Sequence, residues 1–330
     1  MKHRNVTMCG ALVGMLVLIF DGQTAIAGMR DGIEICLRTL IPSLFPFIVL
    51  SGLITSTLAG QPIHLLAPVS KLWHMSPGSE AYFGVGILGG YPVGAANLAT
   101  AHRSGHLTPE TATNLAVFCN NAGPAFIFGV LGIAFPEIAR RFTLWFVQIL
   151  AALITGHLMG NNRSAAPAPS ISRPNATNIL NHAIRSMAGV CGWVVLFRMC
   201  LTFLNKWILF LLPQTLRVLM TGLLELSNGC LLLNQIEDPS LRFLIATVML
   251  SLGGFCVLMQ TKAVFPELQT REYLGGKLIH LYFSVFLALA AVSILEKRNG
   301  SLFCGLAAVG IIIPIQARGA RKSKKEVAIP

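Results

Sequence analysis

Two adjacent asparagines interrupt an otherwise apolar stretch, in the run Asn120-Asn121-Ala122-Gly123-Pro124. Their side-chain amides bring N–H donors and carbonyl acceptors to one place. Pro124 lacks an N–H, so it leaves the carbonyl of Asn120 free and predicts an unwound helix here. Because exposing these groups to lipid would cost several kcal/mol, the run indicates a solute or ion site. The alternative is a pair of amides satisfied by packing between helices.

A glycine-rich run, Gly89-Gly90-Tyr91-Pro92-Val93-Gly94-Ala95, lies in the middle of the apolar segment 81–101. Glycine lets backbones approach closely, and Pro92 suits the first position of a new helix. The amino end of such a half-helix offers unpaired N–H groups and a partial positive charge, which suit an anion or a carbonyl oxygen. The alternative is close helix packing through small residues.

An acidic residue stands inside an apolar segment of the second half, in the run Glu225-Leu226-Ser227-Asn228-Gly229. An ionisable residue at membrane depth is by default a functional candidate. Glu225 is therefore interpreted as a proton carrier, as a cation ligand, or as the partner of Arg198. The last reading is structural, because the ion pair would hold the helices together.

Further polar groups are weaker candidates. Gly253-Gly254-Phe255, followed by Gln260, is the second-half counterpart of the paired-asparagine break. Glu34 and Arg38 have i,i+4 spacing and predict a local ion pair. Three histidines stand alone near the ends of apolar stretches and are expected to be interfacial or hydrogen-bonded: His157, His182 and His280.

No segment gathers the residues of a catalytic site. The motifs GxSxG, HExxH and GxxxxGKS/T do not occur, and the eight cysteines form no CxxC pair. The sequence therefore predicts a protein that is not an enzyme and that holds no resident cofactor or metal. A coupling ion, Na⁺ or H⁺, is left open.

The composition explains where these polar groups must lie. The 330 residues include 25 Lys and Arg against 13 Asp and Glu, so the formal net charge is +12. Only 12% of the residues are charged and 54% are hydrophobic, whereas a soluble domain carries about 25% charged residues. This composition excludes an ordinary soluble enzyme and a disordered chain, and it makes nucleic-acid binding a poor explanation of the basic charge. It predicts an all-α polytopic membrane protein.

The apolar stretches predict about eight transmembrane helices and two re-entrant hairpins. The full spans are placed at roughly 6–28, 33–58, 112–134, 142–160, 183–204, 241–261, 278–296 and 300–316. The hairpins are placed at 81–101 and 216–234, where Gly, Pro and polar residues break the helical pattern. The first span is interpreted as uncleaved, and the alternative is a signal peptide cleaved after Ala25-Ile26-Ala27.

The connecting segments define the predicted organisation. Basic residues at both ends of the chain place both termini in the cytoplasm. Residues 161–178 are rich in Pro, Ser, Ala and Asn and are interpreted as a polar cytoplasmic linker. It separates a first repeat, 29–160, from a second, inverted repeat, 179–296. Residues 1–28 form the first helix, and 297–330 form the last helix with a basic tail.

Several motifs of this sequence resemble a known family. Leu40-Ile41-Pro42-Ser43-Leu44-Phe45-Pro46-Phe47, Gly90-Tyr91-Pro92-Val93-Gly94-Ala95 and Phe118-Cys119-Asn120-Asn121-Ala122-Gly123-Pro124 resemble the sporulation integral membrane protein family YlbJ, also called SpoVV. That family belongs to the nucleoside-recognition Gate domain group. The resemblance extends over roughly residues 6–296 and is looser in the second half.

The resemblance implies a relation to concentrative nucleoside transporters, with inverted repeats and two opposed hairpins. It also implies movement of dipicolinic acid across the outer forespore membrane during endospore formation. The sequence and the resemblance together predict a transporter of a small organic anion that works by alternating access. A nucleoside or nucleobase transporter and a non-transporting membrane scaffold are the alternatives. The expected partners are the solute and the lipid bilayer, and a second copy of the chain is a further candidate.

The predicted substrate site draws residues from both hairpins and both broken spans. It consists of Gly89, Gly90, Tyr91, Pro92, Gly94, Asn120, Asn121, Gly123, Pro124, Arg198, Glu225, Ser227, Asn228, Gly229 and Gly254.

Overall fold

A computed structural model describes residues 2–58, 63–73, 79–159 and 176–296 of the chain. Within these ranges all regular structure is helical. The predicted span at 300–316, the basic tail and most of the predicted linker lie outside the described residues.

Eight α-helices precede the linker region. They are α1 (Lys2–Phe20), α2 (Gly22–Ile35), α3 (Ile41–Leu58), α4 (Ala67–Leu72), α5 (Glu80–Gly89), α6 (Val93–Arg103), α7 (Pro109–Cys119) and α8 (Ile138–Met159). A π-helical turn, Cys36–Leu40, joins α2 directly to α3. After α7 the chain is non-helical from Asn120 to Gly123, becomes helical at Pro124, and continues in short π and 3₁₀ turns, Ala125–Gly129 and Val130–Gly132.

Between residues 176 and 296, the described range after the linker region, there are six α-helices. They are α9 (Ala176–Trp207), α10 (Gln214–Leu224), α11 (Leu226–Leu232), α12 (Pro239–Leu252), α13 (Gly254–Val264) and α14 (Thr270–Leu295). The order of elements matches that before the linker region: a long helix, two short helices joined at a tip, a helix broken near its middle, and a second long helix.

Five helical stretches of the described residues are long and apolar enough to cross a membrane. They are Gly22–Ile54, Ile138–Met159, Thr177–Trp207, Pro239–Val264 and Thr270–Leu295. Large apolar side chains on them point outward, such as Phe146 at 62% and Leu278 at 60% exposure. Outward-facing apolar side chains of this density suit lipid rather than water. The chain is therefore a polytopic helical membrane protein.

The first predicted span has a different boundary in the structure. Helix α1 ends at Phe20 and α2 begins at Gly22, so residues 22–28 belong to the second helix rather than to a span over 6–28. Asp21 lies at the junction, where its carboxylate accepts hydrogen bonds from Thr24 and Lys206. The bond from Lys206 holds the pKa of Asp21 below its ordinary value. A charged junction tied to α9 explains why the helix breaks here.

The predicted span at 112–134 is also not one continuous helix. Helix α7 stops at Cys119, and the helical turns after Pro124 are short. The two parts therefore do not form a single apolar helix. The break coincides with the paired asparagines, as the missing N–H of Pro124 predicts.

Packing brings the two halves of the chain together. Helix α2 packs along α9, and α14 packs against α7, α8 and α12. Helix α6 of the first half contacts α13, and α11 of the second half contacts the 3₁₀ turn after the first break. The short helices and the broken helices therefore meet in the interior, and the long helices surround them.

Candidate functional site

The tip between α5 and α6 is shaped by a glycine that touches the first broken helix. Gly90 has φ +66°, a conformation that side chains rarely adopt. A Cβ atom on Gly90 would lie 2.6 Å from the backbone nitrogen of Gly123. Glycine is therefore required on both grounds, and the tip rests directly on the break.

Hydrogen bonds join this tip to the break. The backbone N–H of Tyr91 donates to the carbonyl of Asn121 at 2.9 Å, and the N–H of Ala95 donates to Oδ1 of Asn120 at 3.3 Å. Gly94 packs so closely that a Cβ there would lie 2.1 Å from the carbonyl oxygen of Cys119. The first turn of α6 and the end of α7 thus form one unit.

Asn120 is the centre of a buried hydrogen-bond network. Its side chain is fully buried, and its Nδ2 donates to Thr261 Oγ1 at 3.2 Å and to Tyr273 OH at 3.3 Å. Together with the bond from the N–H of Ala95, these contacts satisfy both N–H donors and the carbonyl acceptor of the Asn120 side chain. Asn120 therefore fits the packing interpretation, because it ties α6, α13 and α14 to the end of α7.

A buried lysine faces the same break, and the sequence interpretation missed it. Lys277 of α14 is 2% exposed. Its Nζ donates to the carbonyl of Asn120 at 2.8 Å and to Oδ1 of Asn121 at 2.8 Å. The predicted span at 278–296 began one residue too late to include Lys277. The apolar run that follows it, continuous with α14, is the signal that would have placed it inside a helix.

The second tip is built around Glu225. Helix α10 ends at Leu224, Glu225 is extended, and α11 begins at Leu226. The carboxylate accepts hydrogen bonds from the N–H of Ser227 at 3.1 Å and the N–H of Asn228 at 2.7 Å. The side-chain amide of Asn228 donates a third bond, at 2.5 Å. Glu225 therefore caps α11, as an acidic residue at a helix amino end does.

Glycines hold the second tip against the second broken helix. Gly253 and Gly254 separate α12 from α13, and both have φ +76°. A Cβ on Gly254 of the broken helix would lie 2.7 Å from the carbonyl oxygen of Gly222 in α10. Within the tip, a Cβ on Gly229 of α11 would lie 2.2 Å from the Cα atom of Gly222. Each pair of short helices thus packs on the broken helix of its own half through contacts that only glycine permits.

The two tips line one cavity. Its empty volume is about 560 Å³, including the mouth that opens to the outside. Seven of the predicted site residues line it: Gly89, Gly90, Tyr91, Pro92, Gly123, Glu225 and Ser227. Eight others were not predicted as site residues: Leu44, Ile48, Ala125, Phe126, Val190, Leu226, Val257 and Gln260. Most of these are apolar residues, and the sequence pattern did not reveal which side of their helices faces the cavity.

The remaining predicted residues lie behind the lining or elsewhere. The supporting set behind it is Gly94, Asn120, Asn121, Pro124, Asn228, Gly229 and Gly254. Among the lining residues, Glu225 is the one acidic side chain, and the Tyr91 hydroxyl is buried without a hydrogen-bond partner in the described part of the chain. The lining is therefore apolar and aromatic with a few polar groups, which is usual for a small-molecule site.

Arg198 does not belong to this arrangement. Its guanidinium donates to Oδ2 of Asp31 at 3.0 Å, between α9 and α2. The predicted pairing of Arg198 with Glu225 is wrong, because α2 rather than the second tip packs on this part of α9. Arg198 is also not among the residues that line the cavity.

The weaker candidates have local roles. Glu34 and Arg38 form the predicted ion pair, at 3.2 Å on an exposed face. His280 is fully buried rather than interfacial; its Nε2 lies 3.4 Å from the carbonyl of Gln148. In the described ranges no cluster of three His, Cys, Asp or Glu side chains is arranged to hold a metal.

Comparisons with known proteins identify a relative of the chain. No protein-family model matches it, and no solved structure matches it significantly. The sporulation integral membrane protein YlbJ of Bacillus subtilis (strain 168) is 22% identical over an alignment 329 positions long, which takes in 82% of this chain and 79% of YlbJ. Because the match covers 82% of the chain, it extends into both halves. This integral membrane protein is therefore similar, over most of its length, to the sporulation integral membrane protein YlbJ.

Proposed function

We propose that this protein is a secondary transporter that moves a small organic solute by alternating access at the cavity between the two tips. The observation that carries the proposal is the meeting of Gly89–Pro92 from the first half with Glu225 and Ser227 from the second at one cavity. Short and broken helices whose ends converge near the middle of a membrane protein are typical of transporter sites.

The proposal includes the topology of the chain. The matching order of elements before and after the linker region supports two repeats, and the α5–α6 and α10–α11 pairs would be re-entrant hairpins opening to opposite sides. Both termini would be cytoplasmic. In a spore-forming cell the protein would lie in the outer forespore membrane, the location that the family resemblance implies.

Dipicolinic acid is the first candidate solute, because the YlbJ resemblance implies it. Its pyridine ring suits a lining that includes Tyr91, Phe126 and Val257. Its two carboxylates would meet the carboxylate of Glu225, since Arg198 lies elsewhere. Like charges at short range repel. Dipicolinate binding therefore requires a proton on Glu225 or on the solute.

A nucleoside or nucleobase is the second candidate, and the polar lining favours it. The carboxylate of Glu225 can accept hydrogen bonds from sugar hydroxyls, and the amide of Gln260 can pair with the edge of a base. An uncharged solute also avoids the repulsion that a dianion would meet at Glu225.

Transport by the purified full-length protein in phosphatidylethanolamine–phosphatidylglycerol vesicles tests the proposal. Labelled dipicolinate and labelled uridine are each measured in counterflow, in which exchange needs no ion gradient. We expect saturable exchange of one solute and competition by its unlabelled form. Failure of both solutes to exchange would overturn the proposed function and favour a non-transporting scaffold.

Glu225→Gln separates the two solutes. It keeps the size of the side chain but removes the charge and one of the two acceptor oxygens of the cap, so for dipicolinate we expect the KM to fall. For uridine we expect the KM to rise by about tenfold or more, because hydrogen bonds to a charged group contribute about 1.5–3 kcal/mol. Glu272→Gln, on the exposed start of α14, is the matched control and should leave the KM unchanged. An unchanged KM in Glu225→Gln would remove Glu225 from the site.

A further inference from the structure

Lys277 is a buried amine inside a membrane-spanning helix. It lies within the candidate span Thr270–Leu295 and is 2% exposed. Taking an ammonium group out of water costs several kcal/mol unless nearby groups compensate for the charge. The groups around Nζ therefore decide what this side chain does.

The acceptors of Lys277 are neutral oxygens at the end of a half-helix. The carbonyl of Asn120 and Oδ1 of Asn121 each lie 2.8 Å from Nζ. The first of these carbonyls is free because Pro124, four residues on, has no N–H to offer. The carboxyl end of α7 adds a partial negative charge, the type of environment that holds coupling cations in transporters with broken helices.

No carboxylate neutralises Lys277 within the described part of the chain, where none of the ion pairs includes it. The titratable groups that face it are the thiol of Cys119 from α7, and Tyr273 and His280 from α14 itself. From α8 and α12, which also pack on α14, the neighbouring polar groups are the uncharged Gln148 and Ser251. Two acceptors match the two N–H donors of a neutral amine, and an ammonium has three donors.

Asn121 connects Lys277 to the cavity. Its side-chain oxygen accepts the bond from Lys277, and its backbone carbonyl accepts the bond from the N–H of Tyr91 at the first tip. A change in the charge of Lys277 therefore acts on the same residue that holds the cavity wall.

We propose that Lys277 is the proton-binding site that couples solute movement to a proton gradient, an inference that rests on the proposed transport function. A proton from the acidic side binds the neutral amine, and the ammonium holds the break and the first tip in one arrangement. When the cavity opens to the other side, the ammonium releases that proton to water there. The amine is then neutral again, so one proton crosses in each cycle.

The experiment uses the full-length chain in the same vesicles, with whichever solute exchanges in counterflow. Uphill uptake is driven by an inward proton gradient or, separately, by an inward Na⁺ gradient. For the wild type we expect accumulation with the proton gradient alone, and acidification of the lumen reported by a trapped pH dye. We expect Lys277→Gln to keep counterflow but to lose proton-driven accumulation by about tenfold or more, which is about 1.4 kcal/mol of coupling.

Two further variants keep the inference falsifiable. Lys277→Arg keeps a cation that does not release its proton, so it should fold and exchange solute but fail to accumulate it, even if Lys277→Gln does not fold. Lys262→Gln is the matched control, because Lys262 also donates to two neutral oxygens, the backbone carbonyls of Pro266 and Leu268, but at the partly exposed end of α13. It should accumulate solute as the wild type does.

The outcomes distinguish the inference from the proposed function. Absence of counterflow in the wild type would overturn the transport function itself. Counterflow with proton-driven accumulation that survives in Lys277→Arg would overturn only the role of Lys277. Accumulation driven by Na⁺ without lumen acidification would overturn it as well.

Discussion

The ionisable side chains inside the helices divide into those that hold helices together and those at the cavity or the first break. Arg198 is paired with Asp31, and its side chain is 24% exposed. Glu225 is bound by three N–H donors of its own segment and lines the cavity. Within the described residues, the hydrogen-bond acceptors of Lys277 are neutral oxygens. Surroundings rather than residue type therefore separate the charge that pairs two helices from the two that are proposed to act in transport.

The placement of Arg198 leads to a prediction at the residue scale. Arg198→Gln should leave the KM for the transported solute unchanged within about twofold, because it removes an ion pair away from the cavity. It should lower the free energy of unfolding by about 1 kcal/mol or less, as partly exposed pairs do. Counterflow kinetics and thermal unfolding in detergent measure the two quantities. A tenfold change in KM would return Arg198 to the substrate site.

At the scale of the elements, the breaks and tips are made by a small set of residues with local reasons. Pro124 removes an N–H, Gly90 and Gly253 take positive φ, and Glu225 supplies a cap. Each break is then fixed by a close neighbour. The carbonyl oxygen of Cys119, for example, lies between Gly86 of α5 and Gly94 of α6, where added Cβ atoms would come within 1.9 Å and 2.1 Å of it.

Gly94→Ala tests this close packing. The added methyl group would overlap the end of α7, and overpacking of this kind costs about 1–3 kcal/mol. We expect a lower unfolding temperature in detergent and slower counterflow. Gly189→Ala is the control, since nothing lies within 4 Å of a Cβ there and alanine favours a helix by up to about 1 kcal/mol. Equal stability of the two variants would contradict the packing of α6 on α7.

At the scale of the whole molecule, the cavity exists only because the two halves of the chain meet. Contacts of α6 with α13, and of α11 with the turn after the first break, cross between the halves. The hydrogen bonds of Asn120 to Thr261 and Tyr273 cross in the same way. A solute bound in this cavity would therefore touch both halves at once, as the proposed alternating access requires.

Accessibility of Ser227 to reagents tests the shared cavity. In a variant without native cysteines, Ser227→Cys should react with a small methanethiosulfonate reagent, and saturating solute should slow the reaction by about tenfold. Ser104→Cys, in an exposed loop, should react at the same rate with and without solute. Protection at neither position, in a protein that still exchanges solute, would place the solute elsewhere.

The residues that interrupt the helices were predictable, because their effects act within a few positions of the chain. The low charge content predicts the membrane, and the stop of α7 at Cys119, the tip at Gly90 and the break at Gly253 follow from local Gly, Pro and Asn chemistry. The end of the first span was placed wrongly because Asp21 is stabilised by Lys206, which is 185 residues away in sequence.

The sequence by itself thus determined that this is a helical membrane protein and where the interruptions near Gly90, Asn120 and Gly253 lie. Only the tertiary structure decided which interruptions share a cavity, that Arg198 belongs to Asp31, and that Lys277 faces the first break. These partners are separated by 167 and 157 residues. A helix break depends on the backbone properties of the residues at that position. A contact between residues so far apart in sequence depends instead on how the long helices pack.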